Sequence, residues 1–321
     1  MEILFVCDPL ESFQIYKDST FTMMREAHRR GHTIAVCEPR HLSWERGGMV
    51  QAEVRCVTIH EDTPNWFKVH STVYKPIKDY SAIVMRKDPP FDSEYFYATH
   101  LLEQAEREGA KVFNKPRALR DHSEKLAILE FPEYINPTLV TRDAEAIKRF
   151  HAEHRDIILK PLDGMGGMGI FRVKEDGLNL GGIIETLNRD GAQTVMVQKF
   201  LPAIAEGDKR ILVIGGKPVP YSLARIPQGG EVRGNLAAGG KGVAQPLTAS
   251  DRAIAEALAP ILFGRGLLLV GLDVIGDKLT EINVTSPTCF REITDQTGLD
   301  VPAMFLDALE SAVAAATSSQ A

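Results

Sequence analysis

Ile157-Ile158-Leu159-Lys160-Pro161 reads as a strand, Gly164-Met165-Gly166-Gly167-Met168-Gly169 as a turn, and Ile170-Phe171-Arg172-Val173 as a strand again. That order restricts the fold more than any other stretch of the chain. The glycine spacing satisfies G-x-G-x-x-G, but a dinucleotide fingerprint requires a helix where this sequence has a strand. A hairpin with a bare, glycine-lined turn can instead lay backbone N–H groups over phosphate oxygens. Lys160, at the mouth of the turn, adds a point charge to the same phosphates. The plainer alternative is a flexible turn beside a surface lysine.

A second hairpin pattern lies about 110 residues on, in Gly271-Leu272-Asp273-Val274-Ile275-Gly276-Asp277-Lys278-Leu279-Thr280-Glu281-Ile282-Asn283. With a three-residue loop, 276–278, Ile275 pairs with Leu279 and Asp273 with Glu281. Asp273, Glu281 and Asn283 then share one face and form an all-oxygen cluster suited to Mg²⁺. A two-residue loop moves Asp273 to the opposite face, so the metal reading also predicts the turn. Three polar residues on the solvent side of a sheet are the alternative.

Before residue 120 the chain alternates between the two hydrophobic periods. Residues 2–7, 33–38 and 82–86 are short apolar, β-branched runs, with helical patterns from Asp18 to Gly31 and over 94–108, and a strand at Lys111-Val112-Phe113. Strand–helix–strand alternation implies a parallel sheet covered by helices, with ligands beyond the carboxyl ends of its strands. After Asn114-Lys115-Pro116 the rhythm changes. Helices are expected over 143–153, 179–189, 251–265 and from 301, a strand over 194–201, and a further hairpin turning at Gly215-Gly216.

The 321 residues suggest about two domains at ~150 residues each. A net charge of −6 gives no electrostatic reason to bind nucleic acid or an anionic membrane. No apolar stretch nears the ~18 residues of a membrane span, and Met1-Glu2-Ile3-Leu4-Phe5-Val6 enters a strand without a basic leader, so a cytoplasmic protein is expected. Cys7, Cys37, Cys56 and Cys289 are scattered and read as buried small hydrophobes. His154-Arg155-Asp156 lacks the Asn of a kinase catalytic loop. Gly239-Gly240-Lys241-Gly242 lacks the Ser or Thr of a Walker loop, and the histidines form no zinc pattern.

A glycine-rich phosphate hairpin followed by a carboxylate/Asn hairpin resembles the ATP-grasp superfamily. Five longer runs are more specific: 85–92, 158–167, 224–231, 235–240 and 281–288 resemble bacterial glutathione synthetase, spread over nearly the whole chain. The resemblance implies an α/β protein: an ATP-grasp fold behind an N-terminal parallel-sheet (pre-ATP-grasp) domain. Its divisions would be 1–122 as the substrate-side domain, 123–200 as the small ATP-grasp subdomain and 201–316 as the C-terminal subdomain. A lid loop over 226–242 carries Arg233.

By the same resemblance, ATP meets Lys125, Lys160, Gly164, Gly166 and Gly167 at its phosphates. Gln198, Lys199, Phe200 and Leu201 line adenine, and Asp208 faces the ribose. Asp273, Glu281 and Asn283 hold Mg²⁺ (Mn²⁺ is also admitted). Arg210, Arg225 and Arg233 neutralise reacting charge, Arg86 holds γ-glutamylcysteine, and Ser286 and Thr288 seat glycine. Met168 stands where many ATP-grasp relatives have a basic residue, which leaves phosphate binding to backbone amides and lysines. The implied reaction forms an acyl phosphate on γ-glutamylcysteine that glycine then attacks, in a homo-oligomer, a tetramer by resemblance. Rival readings are another ATP-grasp carboxylate–amine ligase and a non-catalytic ATP-binding module.

Overall fold

The computed structural model describes residues 1–60, 65–229, 234, 236 and 239–318. Three sheets follow one another along the chain.

The first contains β1 (Glu2–Cys7), β2 (Thr33–Cys37), β3 (Leu42–Ser43), β4 (Gln51–Ile59), β5 (Phe67–Pro76), β6 (Ala82–Arg86) and β7 (Val112–Phe113). β2, β1, β6 and β7 are neighbours in that order and parallel. This is the expected parallel sheet, and both of its faces are covered. Ile3, Leu4, Phe5 and Val6 are all fully buried, which is why such strands read as continuous apolar runs. The antiparallel extension β3–β4–β5 was not expected. β5 is exposed along most of its length, so its sequence, FKVHSTVYKP, has no buried face to impose a pattern. Helices α1 (Ser19–Arg29) and α2 (Ser93–Arg107) start where Asp18 and Asp92 accept the backbone N–H of Phe21 and Tyr95 at 2.8 and 2.9 Å. A short helix, α3 (Pro116–Asp121), leads out of the sheet.

The second sheet is antiparallel, in the order β10 (Phe171–Val173), β9 (Ile157–Pro161), β11 (Val195–Lys199), β8 (Thr138–Thr141), with α4 (Ala144–His154) and α5 (Leu180–Asn188) beside it. The third is also antiparallel: β14 (Lys241–Pro246), β13 (Lys217–Ile226), β12 (Asp208–Ile214), β15 (Leu269–Ile275), β16 (Lys278–Asn283). Helix α6 (Ala249–Gly264) packs against it, opened by a capping box between Thr248 and Asp251. Ile226 pairs with Lys241, so the segment expected as a lid connects two neighbouring strands. Within it, residues 230–233, 235, 237 and 238, and with them Arg233, lie outside the described residues.

The last two helices, α7 (Phe290–Thr297) and α8 (Val301–Ser318), return to the first sheet, where α8 lies against α1. Phe305, Leu306 and Leu309 share a buried cluster with Ile3, Phe5 and Phe21. Arg30 fastens the contact through Asp307 and Glu310 at 2.7 and 3.2 Å. Among the described residues no helix is long and apolar enough to cross a membrane.

The β15–β16 hairpin corrects the expected turn. Ile275 pairs with Lys278, so the loop is the two residues Gly276 and Asp277 rather than three. A register shift after Val274↔Leu279 then leaves Thr280 as an extra residue and restores Asp273↔Glu281 and Gly271↔Asn283. The bulge achieves what a third loop residue would have done, because one inserted residue exchanges the faces of a strand.

Candidate active site

A cavity of about 310 Å³ is lined from both antiparallel sheets and from the Asp88-Pro89 turn after β6. Gly166 and Gly167, in the turn between β9 and β10, take φ values of 61° and 82°. Glycine reaches that region without Cβ strain, and here it leaves the backbone bare towards the cavity. Lys125 Nζ donates to Gly164 O at 2.6 Å and pairs with Glu281 Oε1 at 3.1 Å. Lys160, on β9, donates to Thr280 O at 3.2 Å, so the bulge residue's carbonyl receives the phosphate-loop lysine. Burial lowers the Lys160 ammonium below its ordinary pKa, with Glu281 opposing and Lys125 adding to the effect. An anion bound between these lysines relieves that cost.

On the floor of the cavity Arg210 grips Asp273 with two hydrogen bonds, at 2.5 and 3.0 Å. Arg225 reaches the same carboxylate at 2.8 Å and Asp208 at 2.5 Å. Burial alone would raise the Asp273 carboxyl, but the two guanidinium groups outweigh it and hold its pKa well below the carboxylate range. Asp208 is different: burial pushes it up to about 6 against the pull of Arg225. Its Oδ1 is buried with no hydrogen-bond partner among the described residues.

Among the described residues no three His, Cys, Asp or Glu side chains converge as a metal site. The hairpin offers two carboxylates and one amide. Asn283 Nδ2 donates to Gly271 O at 3.2 Å, which leaves its Oδ1 to coordinate. Asp273 has three of about four acceptor positions taken by guanidinium groups, while among the described residues Glu281 is ion-paired with Lys125 alone. An oxygen set of this kind fits a hard divalent cation, with Glu281 and Asn283 as its more available donors.

Towards the other end, Gln198, Lys199, Phe200 and Leu201 line the cavity as expected. The Arg172 guanidinium lies 3.5 Å from the Phe200 ring centre and is held by Asp156 at 2.9 and 2.6 Å, stiffening that wall. Ser286 and Thr288 also line the cavity. Arg86 does not. It is buried behind the loop that carries them, with Nε on Thr20 Oγ1 and Nη2 on Pro287 O, both at 3.0 Å, and it shapes that loop from below. Cys289 lines the cavity, and burial raises its thiol pKa, so it remains a neutral thiol.

The family model for the prokaryotic glutathione synthetase N-terminal domain matches residues 1–120, and the model for its ATP-grasp domain matches residues 124–298. The chain is 59% identical over 317 residues to the glutathione synthetase of Ralstonia nicotianae, covering 99% of this chain and 98% of that one. It is 56% identical to the glutathione synthetase of Nitrosomonas europaea, covering 98% and 99%. The chain belongs to the prokaryotic glutathione synthetases. It is an ATP-dependent ligase of glutathione synthesis, and dependence on a divalent cation goes with that family. Solved structures agree on the fold. D-cycloserine synthetase DcsG superposes with a TM-score of 0.66 at 16% identity over 97% of this chain and 99% of that one. The ATP-grasp ligase PsnB, in a complex with a phosphomimetic precursor variant, Mg and ADP, gives 0.62 at 20% over 97% and 98%.

For a glutathione synthetase site, sequence reasoning missed Glu124. It is half-buried, and its Oε1 accepts from Val284 N, Thr285 N and Thr285 Oγ1 at 3.0, 3.1 and 2.8 Å. Burial, and then Glu281, raise its pKa. Its carbonyl also receives Ile282 N at 2.9 Å. Residues 124 and 125 thus touch the glycine loop, the β15–β16 hairpin and the Ser286–Thr288 loop. The only signal in the sequence was a charged pair in a stretch without periodicity.

Gly271 is required by a close approach. A Cβ there would stand 2.8 Å from Arg210 Cδ and 3.2 Å from Pro287 Cβ. Gly271→Ala is therefore expected to push Arg210 off Asp273 and lower turnover roughly tenfold to 10²-fold in a folded protein, as small misplacements in an active site do. Steady-state kinetics beside a thermal melt check this, and unchanged turnover would show that Arg210 has room to move.

Proposed function

We propose that this chain joins the cysteinyl carboxylate of γ-glutamylcysteine to the amine of glycine in two chemical steps within the one cavity. The γ-phosphoryl group of ATP moves to the carboxylate, giving an acyl phosphate and ADP. The neutral amine of glycine then attacks the acyl carbon; the C–N bond forms, the C–O bond to phosphate breaks, and a proton leaves the nitrogen. What carries this reading is the convergence of Lys125, Lys160, Arg210, Arg225, Glu281 and Asn283 on one space.

Each group has a role its position supports. Lys125, Lys160 and the bare amides of the glycine loop hold the phosphates, and the segment 198–201 holds adenine. Asp208, on the wall of the same cavity, accepts from the ribose. Arg210 and Arg225, kept in place by Asp273, reduce the repulsion between two anions that must meet and stabilise charge on the phosphoryl oxygens. Glu281 and Asn283, with Asp273 beside them, would hold Mg²⁺ or Mn²⁺, which supplies charge neutralisation at the phosphates. Ser286 and Thr288 seat the acceptor, on a loop fastened by Arg86 and Glu124. The reading includes a homo-oligomeric assembly.

Phosphate release from Mg²⁺-ATP is expected only when γ-glutamylcysteine and glycine are both present, because the dipeptide must first take the phosphoryl group and glycine must then displace it as phosphate. A coupled phosphate assay with each substrate omitted in turn measures this. Equal ATPase activity without either substrate contradicts the proposal.

A further inference from the structure

The adenine end of the cavity contains a set of hydrogen bonds whose directions follow atom by atom from two fixed points. Lys199 O and Asn136 O are backbone carbonyls and can only accept. Asn136 Nδ2 donates to Lys199 O at 2.5 Å, so the other end of that amide, Oδ1, is left as an acceptor. Thr138 gives its single hydroxyl hydrogen to Asn136 O at 2.8 Å, so its oxygen is an acceptor too. Gln198 Nε2 donates to both, at 3.2 Å to Asn136 Oδ1 and 3.0 Å to Thr138 Oγ1.

Turning the Gln198 amide over would set its oxygen against Asn136 Oδ1, which has no hydrogen to give. Thr138 could then satisfy Gln198 only by abandoning Asn136 O. Asn136 cannot turn in compensation, because its oxygen would then face Lys199 O. These residues are buried: Asn136 is 4% and Gln198 5% exposed, so water does not repair a wrong orientation cheaply. Among the described residues Gln198 Oε1 has no hydrogen-bond partner, and it is not sealed off from open space. The open space beside Gln198 and Asn136 is the cavity.

We propose that Asn136 and Thr138 are positioning residues that select the nucleobase: they lock Gln198 with its carbonyl oxygen as a fixed acceptor, so that the site takes a purine with a 6-amino donor and rejects a 6-oxo purine. The inference rests on the adenine-nucleotide reading above and adds to it the residues that enforce the choice. An amide free to rotate could present oxygen to adenine or nitrogen to hypoxanthine at nearly equal cost. A locked amide cannot, and a 6-oxo base leaves two oxygens facing each other in a buried site.

ATP and ITP separate these cases, since they differ at the 6-position and in the N1 proton. In the full chain, glycine- and γ-glutamylcysteine-dependent phosphate release is expected to favour ATP over ITP by about 10²-fold or more in kcat/KM. Thr138→Val removes the hydroxyl while keeping the shape, and Asn136→Ala/Thr138→Val removes both restraints. Each is expected to lower the ATP:ITP ratio, the double variant by roughly tenfold or more, through a gain in ITP use. Thr138→Ser, which retains the hydroxyl, is expected to restore the wild-type ratio. A purely structural role for this pair would lower both nucleotides together and leave the ratio fixed, and that result overturns the inference. So does a wild-type protein that accepts ITP as readily as ATP, an arm that needs no variant. Either result leaves dipeptide- and glycine-dependent turnover intact, so it is distinguishable from failure of the ligase reading, in which no phosphate release depends on those substrates.

Discussion

Glu281→Gln is expected to lower turnover by roughly 10²-fold or more while the protein keeps its fold. The substitution preserves the shape and one oxygen of a side chain that projects from β16 into the cavity and meets Lys125 at 3.1 Å. It removes the full negative charge from the hairpin's most available cation donor. Raising Mg²⁺ should recover part of the lost rate, because a weakened ligand can be offset by mass action. A Mg²⁺ titration of substrate-dependent phosphate release, with a thermal melt as the control for folding, measures both effects. Wild-type activity at low Mg²⁺ would remove Glu281 from the metal site and leave its charge as a partner of Lys125 alone.

Asp273→Asn is expected to act on stability as well as on rate. Asp273 is 2% exposed and lies between Arg210 and Arg225, themselves 6% and 4% exposed. Among the described residues, removing the shared anion leaves Arg210 without an ion-pair partner and Arg225 with Asp208 alone. Breaking a buried ion pair on one side costs about 3–5 kcal/mol, since the remaining charge keeps its desolvation penalty without its partner. The denaturant midpoint should fall accordingly, and turnover should fall with it because both guanidinium groups lose their anchor. An unchanged midpoint would show that Asp208 or water takes over the charge. The Glu281 and Asp273 variants thus separate two carboxylates that face each other in register, one expected to matter chiefly for metal and rate, the other for holding the arginines.

Much of the site was legible because its parts are local. Lys160 and the glycines lie within ten residues of one another, and a glycine-lined turn between two strands has few structural uses. The helix start at Asp18 was legible for the same reason, since a cap acts three residues away, whereas the cap at Asp92 went unread and its helix was expected from 94. The β15–β16 hairpin was half legible. The facing of Asp273 and Glu281 followed from the chemistry expected of them, whereas the means was a bulge at Thr280 and not a longer loop. Nothing in the residue types distinguishes those two solutions, which give the same facing. β5 stayed hidden because it buries no face, and Glu124 because its partners, two backbone amides and a threonine hydroxyl, lie some 160 residues away and leave no periodic trace.

Arg86 shows where the division falls. Its place at the carboxyl end of a parallel strand was determined by the sequence, through the apolar run that makes β6. Whether its guanidinium would meet the ligand or the loop beneath it depended on how the third sheet docks against the first, and the structure sets it on Pro287 O. The amide of Gln198 follows the same rule: a strand residue by pattern, an oriented acceptor only through Asn136 and Thr138 on another part of the chain. Short-range order is written in periodicity and residue type because backbone hydrogen bonds and side-chain alternation act over a few residues. The charge pairs and hydrogen-bond directions of the site join residues tens to hundreds of positions apart. They exist only once burial has brought those residues together and removed the water that would otherwise satisfy them.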